Sequence, residues 1–119
     1  MNAAPVVRRR VSERDFQQQV ISLARLNRWT IAHFHDSRRQ VRPKVFVGDK
    51  DAAGFPDLVC VRERVVFAEL KAEYGKLSAS QERWFKALAL AGAEVYVWRP
   101  SSWPEITQTL STPGARAVA

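Results

Sequence analysis

Residues 54–71 read GFPDLVCVRERVVFAELK, and this stretch decides the fold. Residues 57–61 and 65–71 are rich in β-branched and aromatic residues, and the polar residues 62–64 separate them. This pattern predicts two short strands joined in a β-hairpin. If the connection has three residues, Val61 pairs with Val65, and Asp57 then faces Glu69 across the hairpin.

Side chains two positions apart in a strand lie on one face of the sheet, so Lys71 shares the face of Glu69. Ala68 and Leu70 then point to the other face, into the core. The hairpin is therefore expected to present two carboxylates and one ammonium group together on one side.

Opposed carboxylates repel each other unless a cation lies between them. Mg²⁺ and Mn²⁺ prefer oxygen ligands, which Asp57, Glu69 and the backbone carbonyl of Leu70 can supply. Such an ion polarises a phosphodiester and activates a water molecule, and Lys71 can position or deprotonate that water or neutralise charge on the phosphate.

A simpler reading of the same residues is a plain hairpin in which Lys71 forms a cross-strand charge pair with Glu69 or Asp57. The spacing alone does not separate the two readings. A connection one residue longer or shorter also places Asp57 and Glu69 on opposite faces.

The sequence around the hairpin predicts three helices and two further strands. Ser12, followed by Asp15, begins a helix that ends near Asn27. Residues 29–35 (WTIAHFH) form a strand, and residues 36–54 form a long polar loop in which Gly48 and Gly54 are flexible points. The spacing of Ser78 and Gln81 is that of a capping box and begins a second helix, whose apolar face comprises Trp84, Phe85, Leu88 and Ala91.

Residues 94–98 (EVYVW) form the last strand, and Ser102 with Glu105 begins a final helix that ends near Leu110. The order αβββαβα predicts a single α/β domain over residues 12–110, with a central mixed sheet flanked by helices. Residues 1–11 are expected to be a flexible basic arm and residues 111–119 a disordered tail.

Charge and composition narrow the function. The chain has 119 residues and a net charge of +7. The first 50 residues carry eleven lysines and arginines against four acidic residues, whereas the remainder is balanced, which favours a polyanionic partner. One cysteine, Cys60, and two histidines exclude a disulfide within the chain and a zinc cluster. There is no apolar run of membrane-spanning length and no secretory signal, so we expect a cytoplasmic protein without a membrane partner.

Residues 54–98, GFPDLVCVRERVVFAELKAEYGKLSASQERWFKALALAGAEVYVW, resemble the virus-type replication-repair nuclease (VRR-NUC) family of the PD-(D/E)XK nuclease superfamily. The resemblance covers roughly residues 12–110. It rests on five segments that occur in order: SERDFQ, GFPDL, AELK, GKLSASQ and AGAEVYVW.

The resemblance implies a PD-(D/E)XK nuclease-like fold and specific roles for five residues. Asp57 and Glu69 become the metal ligands and Lys71 the catalytic lysine. Gln81 matches the glutamine near the phosphate or the catalytic lysine, and Glu13 matches a first-helix acid that contacts metal through water. Gln81 and Glu13 also have structural explanations, since both residue types favour the first turn of a helix.

The resemblance also implies a homodimer that cuts branched DNA such as a four-way junction, although a flap or duplex nuclease fits the residues equally well. His33 and His35 are candidates for DNA or metal contact or for filling the sheet surface. A non-catalytic nucleic-acid-binding module and a partner-binding protein are the rival hypotheses. The residues expected to contact DNA phosphates are Arg8, Arg9, Arg10, Arg38, Arg39, Arg42, Lys44, Lys50 and Lys76.

Overall fold

The computed structural model describes residues 11–34 and 50–113. The elements follow in the predicted αβββαβα order, with short 3-10 turns at Lys50–Ala52 and Pro100–Ser102. Their bounds are α1 Glu13–Leu26, β1 Thr30–His33, β2 Leu58–Val61, β3 Val65–Leu70, α2 Ala79–Leu90, β4 Glu94–Trp98 and α3 Trp103–Ser111.

The four strands form one mixed sheet in the order β1-β2-β3-β4. β1 pairs with β2, and β2 with β3, in antiparallel orientation, whereas β3 and β4 are parallel. α2 makes the crossover that a parallel pair requires. The predicted α/β domain with a central mixed sheet is confirmed.

The hairpin has the register predicted from the sequence. Val61 pairs with Val65, and Leu58 pairs with Ala68, so residues 62–64 form the connection. Continuing the register by one residue places Asp57 opposite Glu69. The reading that separates these two carboxylates to opposite faces is therefore wrong.

One face of the sheet is covered by α1 and α3 and contains the core. The side chain of Trp29 helps to close it, because its indole N–H donates to the carbonyl of Leu110 at 2.8 Å. The predicted burial of Ala68 and Leu70 is confirmed, and Cys60 is buried as well. The buried hydrophobic residues are Phe16, Val20, Ile21, Ala24, Trp29, Leu58, Cys60, Val66, Ala68, Leu70, Trp98, Ile106 and Leu110.

α2 lies on the opposite face and covers it only in part. No residue of α2 is fully buried, and of its predicted apolar face Ala91 is exposed. The contact is made by aromatic rings: Phe55 packs edge to face against both Trp84 and Phe67, with centroid distances of 5.0 and 6.1 Å.

All three predicted helix starts are confirmed, since Ser12, Ser78 and Ser102 are the N-caps of α1, α2 and α3. The Ser12 hydroxyl accepts from the Asp15 N–H at 3.0 Å, and Ser78 and Gln81 form a complete capping box. At the start of α3 the Ser102 hydroxyl makes no cap bond to the helix and accepts instead from the Arg99 N–H at 3.0 Å. The 3-10 turn before α3 directs this hydroxyl back toward the preceding strand.

The described chain extends slightly past the predicted borders of the domain. Val11 packs against the core, and Ser111 still belongs to α3. The carbonyl of Thr112 accepts hydrogen bonds from Arg62 and Arg64. Among residues 11–34 and 50–113 no helix is long and apolar enough to cross a lipid bilayer.

Candidate active site

Asp57 and Glu69 meet at the end of the hairpin opposite its connection. The Leu70 N–H donates to the Asp57 carboxylate at 3.1 Å, which fixes Asp57 against the end of β3. Glu69 is only 4% exposed and is the single buried charged residue among those described. A carboxyl group in such a position requires a stabilising partner.

Pro56 lies opposite Leu70 and leaves the Leu70 carbonyl without a donor from β2. The register places Pro56 opposite Leu70, and β2 begins only at Leu58. Because proline has no N–H, β2 cannot supply a donor for the Leu70 carbonyl. This is the carbonyl that the sequence analysis assigned as a metal ligand.

Gln81 connects α2 to this pair. Its side-chain N–H donates to Glu69 Oε2 at 3.3 Å, while its side-chain oxygen accepts from the Ser78 N–H at 2.9 Å. The capping and active-site explanations for Gln81 are therefore compatible, since one side chain makes both contacts.

One of the two Glu69 carboxyl oxygens receives no donor from the part of the chain that the structure describes. Glu69 Oε1 is buried and has no hydrogen-bond partner within the described part of the chain. An unpaired buried carboxylate oxygen is costly, because desolvation is not offset by a hydrogen bond. A cation held by Glu69 and Asp57 would satisfy this oxygen, so the donor set fits a hard divalent ion.

The raised pKa values of Asp57 and Glu69 also favour a bound cation. Burial, followed by the neighbouring charge of Asp57, raises the pKa of Glu69 to about 9. Burial also raises the pKa of Asp57, and the Leu70 N–H bonded to its carboxylate opposes that rise. Without a cation the pair therefore retains a proton near neutral pH, because the two carboxylates repel each other when both are ionised.

Lys71 and Glu13 act on the same two carboxyl groups. The charge of Lys71 lowers the pKa of both, and the charge of Glu13 raises both, so the fold brings all four residues into one electrostatic group. The Lys71 N–H donates to the Trp98 carbonyl at 2.9 Å, which anchors it on β4. In residues 11–34 and 50–113 no three acidic, histidine or cysteine side chains are close enough to hold a metal together. A role for Glu13 is thus limited to one at longer range.

Gly54 lies in close contact with the backbone of Ser80, so the expectation that it is a flexible point was wrong. It adopts a φ of +84°, and a Cβ at this position would lie 2.4 Å from the backbone carbon of Ser80. Gly54 therefore lets the chain before Asp57 pass directly against the start of α2. Sequence spacing gives no signal of this approach, because Gly54 and Ser80 are far apart in the chain.

The other candidates fall in several places. Lys50 and Lys76 are exposed. His33 pairs with Leu58 and so lies on the core face, away from Asp57. The remaining candidates lie outside the described residues: Arg8, Arg9, Arg10, His35, Arg38, Arg39, Arg42 and Lys44.

One feature beside the carboxylates was not predicted. The Phe34 N–H donates to the Asp57 carbonyl at 2.8 Å, so Phe34 is the neighbour of Asp57 on the side away from Glu69. Its ring packs edge to face on Phe55 at 5.6 Å. An aromatic residue at the end of a strand has no distinctive spacing that would mark it in the sequence.

Comparison with known families gives an assignment that agrees with this geometry. The family model for the VRR-NUC domain matches residues 3–101. The protein therefore belongs to the VRR-NUC family and has a nuclease domain of the PD-(D/E)XK type, a class that generally uses divalent metals. No curated protein and no solved structure gave a significant match.

Proposed function

We propose that the protein is an Mg²⁺- or Mn²⁺-dependent endonuclease that hydrolyses phosphodiester bonds in DNA. The observation that carries this proposal is the buried Glu69 Oε1, which has no donor among residues 11–34 and 50–113 and belongs to a carboxyl group opposed to that of Asp57. A hairpin built only for stability gains nothing from such a pair.

The residues that would hold the ion are Asp57, Glu69 and the carbonyl of Leu70. When bound, a divalent ion supplies Lewis-acid chemistry, polarising the phosphodiester and lowering the pKa of water. The Leu70 N–H keeps Asp57 in place through its bond to the carboxylate. Gln81 fixes Glu69 from the opposite side through Glu69 Oε2.

Lys71 is proposed as the catalytic lysine. It follows Glu69 by two residues, shares its face, and its charge already acts on both carboxyl groups. In this position its ammonium group orients the attacking water or offsets negative charge that accumulates on the phosphate. Glu13, on α1, is proposed to act through water at longer range.

DNA is proposed as the substrate because of the basic excess in the first half of the chain. Contacts of Lys50, Lys76 and the basic residues of segments 8–10 and 38–44 with phosphates would give affinity without sequence readout. Selection by DNA structure, including a four-way junction cut by a homodimer, is accordingly part of the proposal. A reducing cytoplasm is the proposed location, consistent with the lone buried thiol of Cys60.

The test is cleavage of labelled linear, flapped and four-way DNA by the full chain, in Mg²⁺, in Mn²⁺ and with chelator. We expect metal-dependent cutting that falls by roughly a hundred- to a thousandfold or more in Asp57→Ala and Lys71→Ala. Lys86→Ala, which removes an exposed lysine of α2, is the matched control and should cut normally.

The ranking of the three DNAs tests the proposed preference for branched substrates. DNA left intact in every reaction by a folded protein that binds it would contradict catalysis and favour a binding module. Cutting that persists in the presence of chelator would contradict the proposed cation dependence.

A further inference from the structure

Phe34, Asp57 and Glu69 occupy neighbouring positions in one row across the sheet. The register of β1 with β2 ends at His33 and Leu58, and the Phe34 N–H continues it with a bond to the Asp57 carbonyl. Residues opposite one another across strands share a face, so the Phe34 ring borders the carboxylate pair. The ring is 49% exposed.

Among the described residues, the exposed aromatic and the exposed aliphatic side chains lie at opposite ends of the sheet. The aromatic ones, Phe34 and Tyr74, follow β1 and β3 at the end of the sheet that holds the carboxylates. The aliphatic ones lie at the opposite end, beside the hairpin connection or at the last turns of α1 and α2: Leu26, Val61, Val65 and Leu90. Aromatic rings stack on nucleobases, and aliphatic side chains do not.

The Phe34 ring packs against a second aromatic ring, Phe55, which is itself held in place. Phe55 contacts Phe34 edge to face and also packs against Trp84, whose indole N–H donates to the Asp51 carbonyl at 2.9 Å. This bond anchors the 3-10 turn that begins with the exposed Lys50. A packed aromatic ring thus lies beside the carboxylate site, which suits a nucleotide whose base stacks on the ring while its phosphate lies at the carboxylates.

We propose that Phe34 is a stacking surface for an unpaired DNA base next to the bond that is cut. A base within a duplex is already stacked on its neighbours, whereas an unpaired base in a flap or bulge is available to the ring. The inference rests on the proposed nuclease function and adds a substrate class to it: DNA with an unpaired nucleotide at the cleavage position.

The experiment compares the affinity of the full chain for two DNAs, a duplex and the same duplex with a three-nucleotide unpaired flap. Fluorescence anisotropy is measured in Ca²⁺, which takes the same oxygen ligands. We expect the wild type to prefer the flap. Phe34→Leu, which keeps an apolar side chain but removes the ring, should weaken flap binding by roughly 5- to 100-fold and change duplex binding little.

Phe34→Trp should retain or increase the flap preference, and it tests the proposal independently if Phe34→Leu does not fold. Leu26→Ala removes an exposed side chain at the opposite end of the sheet and should leave both affinities unchanged. Equal loss of both DNAs in Phe34→Leu, an unchanged preference, or a lost preference in Phe34→Trp would overturn the proposal.

Cleavage of the same DNAs in Mg²⁺ separates this inference from the proposed function. A protein that cuts DNA but shows no dependence on the Phe34 ring retains the nuclease function and loses the stacking role. A protein with ring-dependent flap binding and no cleavage retains the stacking role and loses the nuclease function.

Discussion

At the hairpin end of the sheet, the charged side chains bind one another and the backbone. Arg64 donates to Glu94 at 2.8 Å and to the carbonyls of Thr109 and Thr112, and Arg62 donates to Glu63. At the catalytic end, two carboxyl groups oppose each other, and Glu69 Oε1 has no donor among the described residues.

The hairpin end is further closed by stacking. The guanidinium groups of Arg62 and Arg64 lie 4.6 and 5.1 Å from the centroid of the Trp29 ring, whose N–H is bonded to Leu110. α1, β1, the hairpin and α3 are thereby joined at one point. The polar groups here are explained by stability alone.

The difference shows how a small domain separates stability from function. Charges that hold the fold together find partners within the chain, so their desolvation is offset. Charged groups that bind a ligand lack some hydrogen-bond partners in the free protein, and they destabilise the fold until the ligand binds. A buried charged residue with one unsatisfied oxygen, such as Glu69, therefore indicates a site, whereas a charged residue whose hydrogen-bonding groups are all satisfied does not.

Gly54→Ala is expected to have the largest effect and to disturb the catalytic end. The added methyl has no space against the backbone of Ser80. The alanine would also have to adopt a φ of +84°, which L-residues rarely do. We expect a loss of about 2–5 kcal/mol in the free energy of unfolding, together with reduced DNA cleavage because α2 moves away from Glu69. Urea unfolding and cleavage assays measure the two effects.

Gly92→Ala is the matched control for this substitution. Gly92 also has a φ of +84°, but a Cβ there meets nothing within 4 Å. Only the backbone cost of about 1–2 kcal/mol should remain, with cleavage by the folded protein unchanged. Equal effects at the two glycines would show that the contact with Ser80 is unimportant.

Arg64→Ala should disturb the hairpin end alone. It leaves Glu94 without its ion pair and removes donors from two carbonyls, so we expect about 1–3 kcal/mol of destabilisation. Cleavage per folded molecule should not change, since the catalytic end keeps all its contacts. Arg83→Ala, at an exposed position of α2, should leave unfolding unaffected. A loss of catalysis in folded Arg64→Ala would contradict the claim that the hairpin end serves stability alone.

Glu69→Gln should stabilise the protein in the absence of metal. The pKa of Glu69 is about 9 in the folded state and near its ordinary value of 4.5 when unfolded. The folded state therefore holds more protons between these values, and wild-type stability falls as pH rises through this window. The amide cannot ionise, so we expect similar melting temperatures below pH 4.5 and an advantage of about 5 °C or more for the variant at pH 8.

Thermal melts from pH 4 to pH 9 in chelator measure this difference. Lower stability of Glu69→Gln at every pH would mean that the Glu69 carboxyl group is a structural element of the hairpin.

The sequence predicted the parts of the molecule that depend on local rules. The three-residue connection determined the register of Asp57 against Glu69, and the Ser78–Gln81 spacing determined the start of α2. Strand alternation then placed Ala68 and Leu70 in the core. These outcomes follow from periodicity and hydrogen bonding between residues close in the chain.

The remainder depends on contacts between distant residues. Gly54 reads as a loop glycine until the start of α2 is placed against it, and the Ser102 hydroxyl reads as a capping group for α3 until the 3-10 turn directs it to Arg99. The position of Phe34 beside Asp57 requires the pairing of β1 with β2, which no local pattern specifies.

Binding of Mn²⁺ to the full chain, measured by titration calorimetry, tests the central claim most directly. The proposal predicts saturable binding that is lost in Asp57→Asn. Glu73→Gln is the matched control, because the Glu73 carboxylate is already occupied by the N–H and hydroxyl of Ser101, and it should bind Mn²⁺ as the wild type does. Absence of binding by the wild type, or equal binding by Asp57→Asn, would contradict a cation site at the opposed carboxylates.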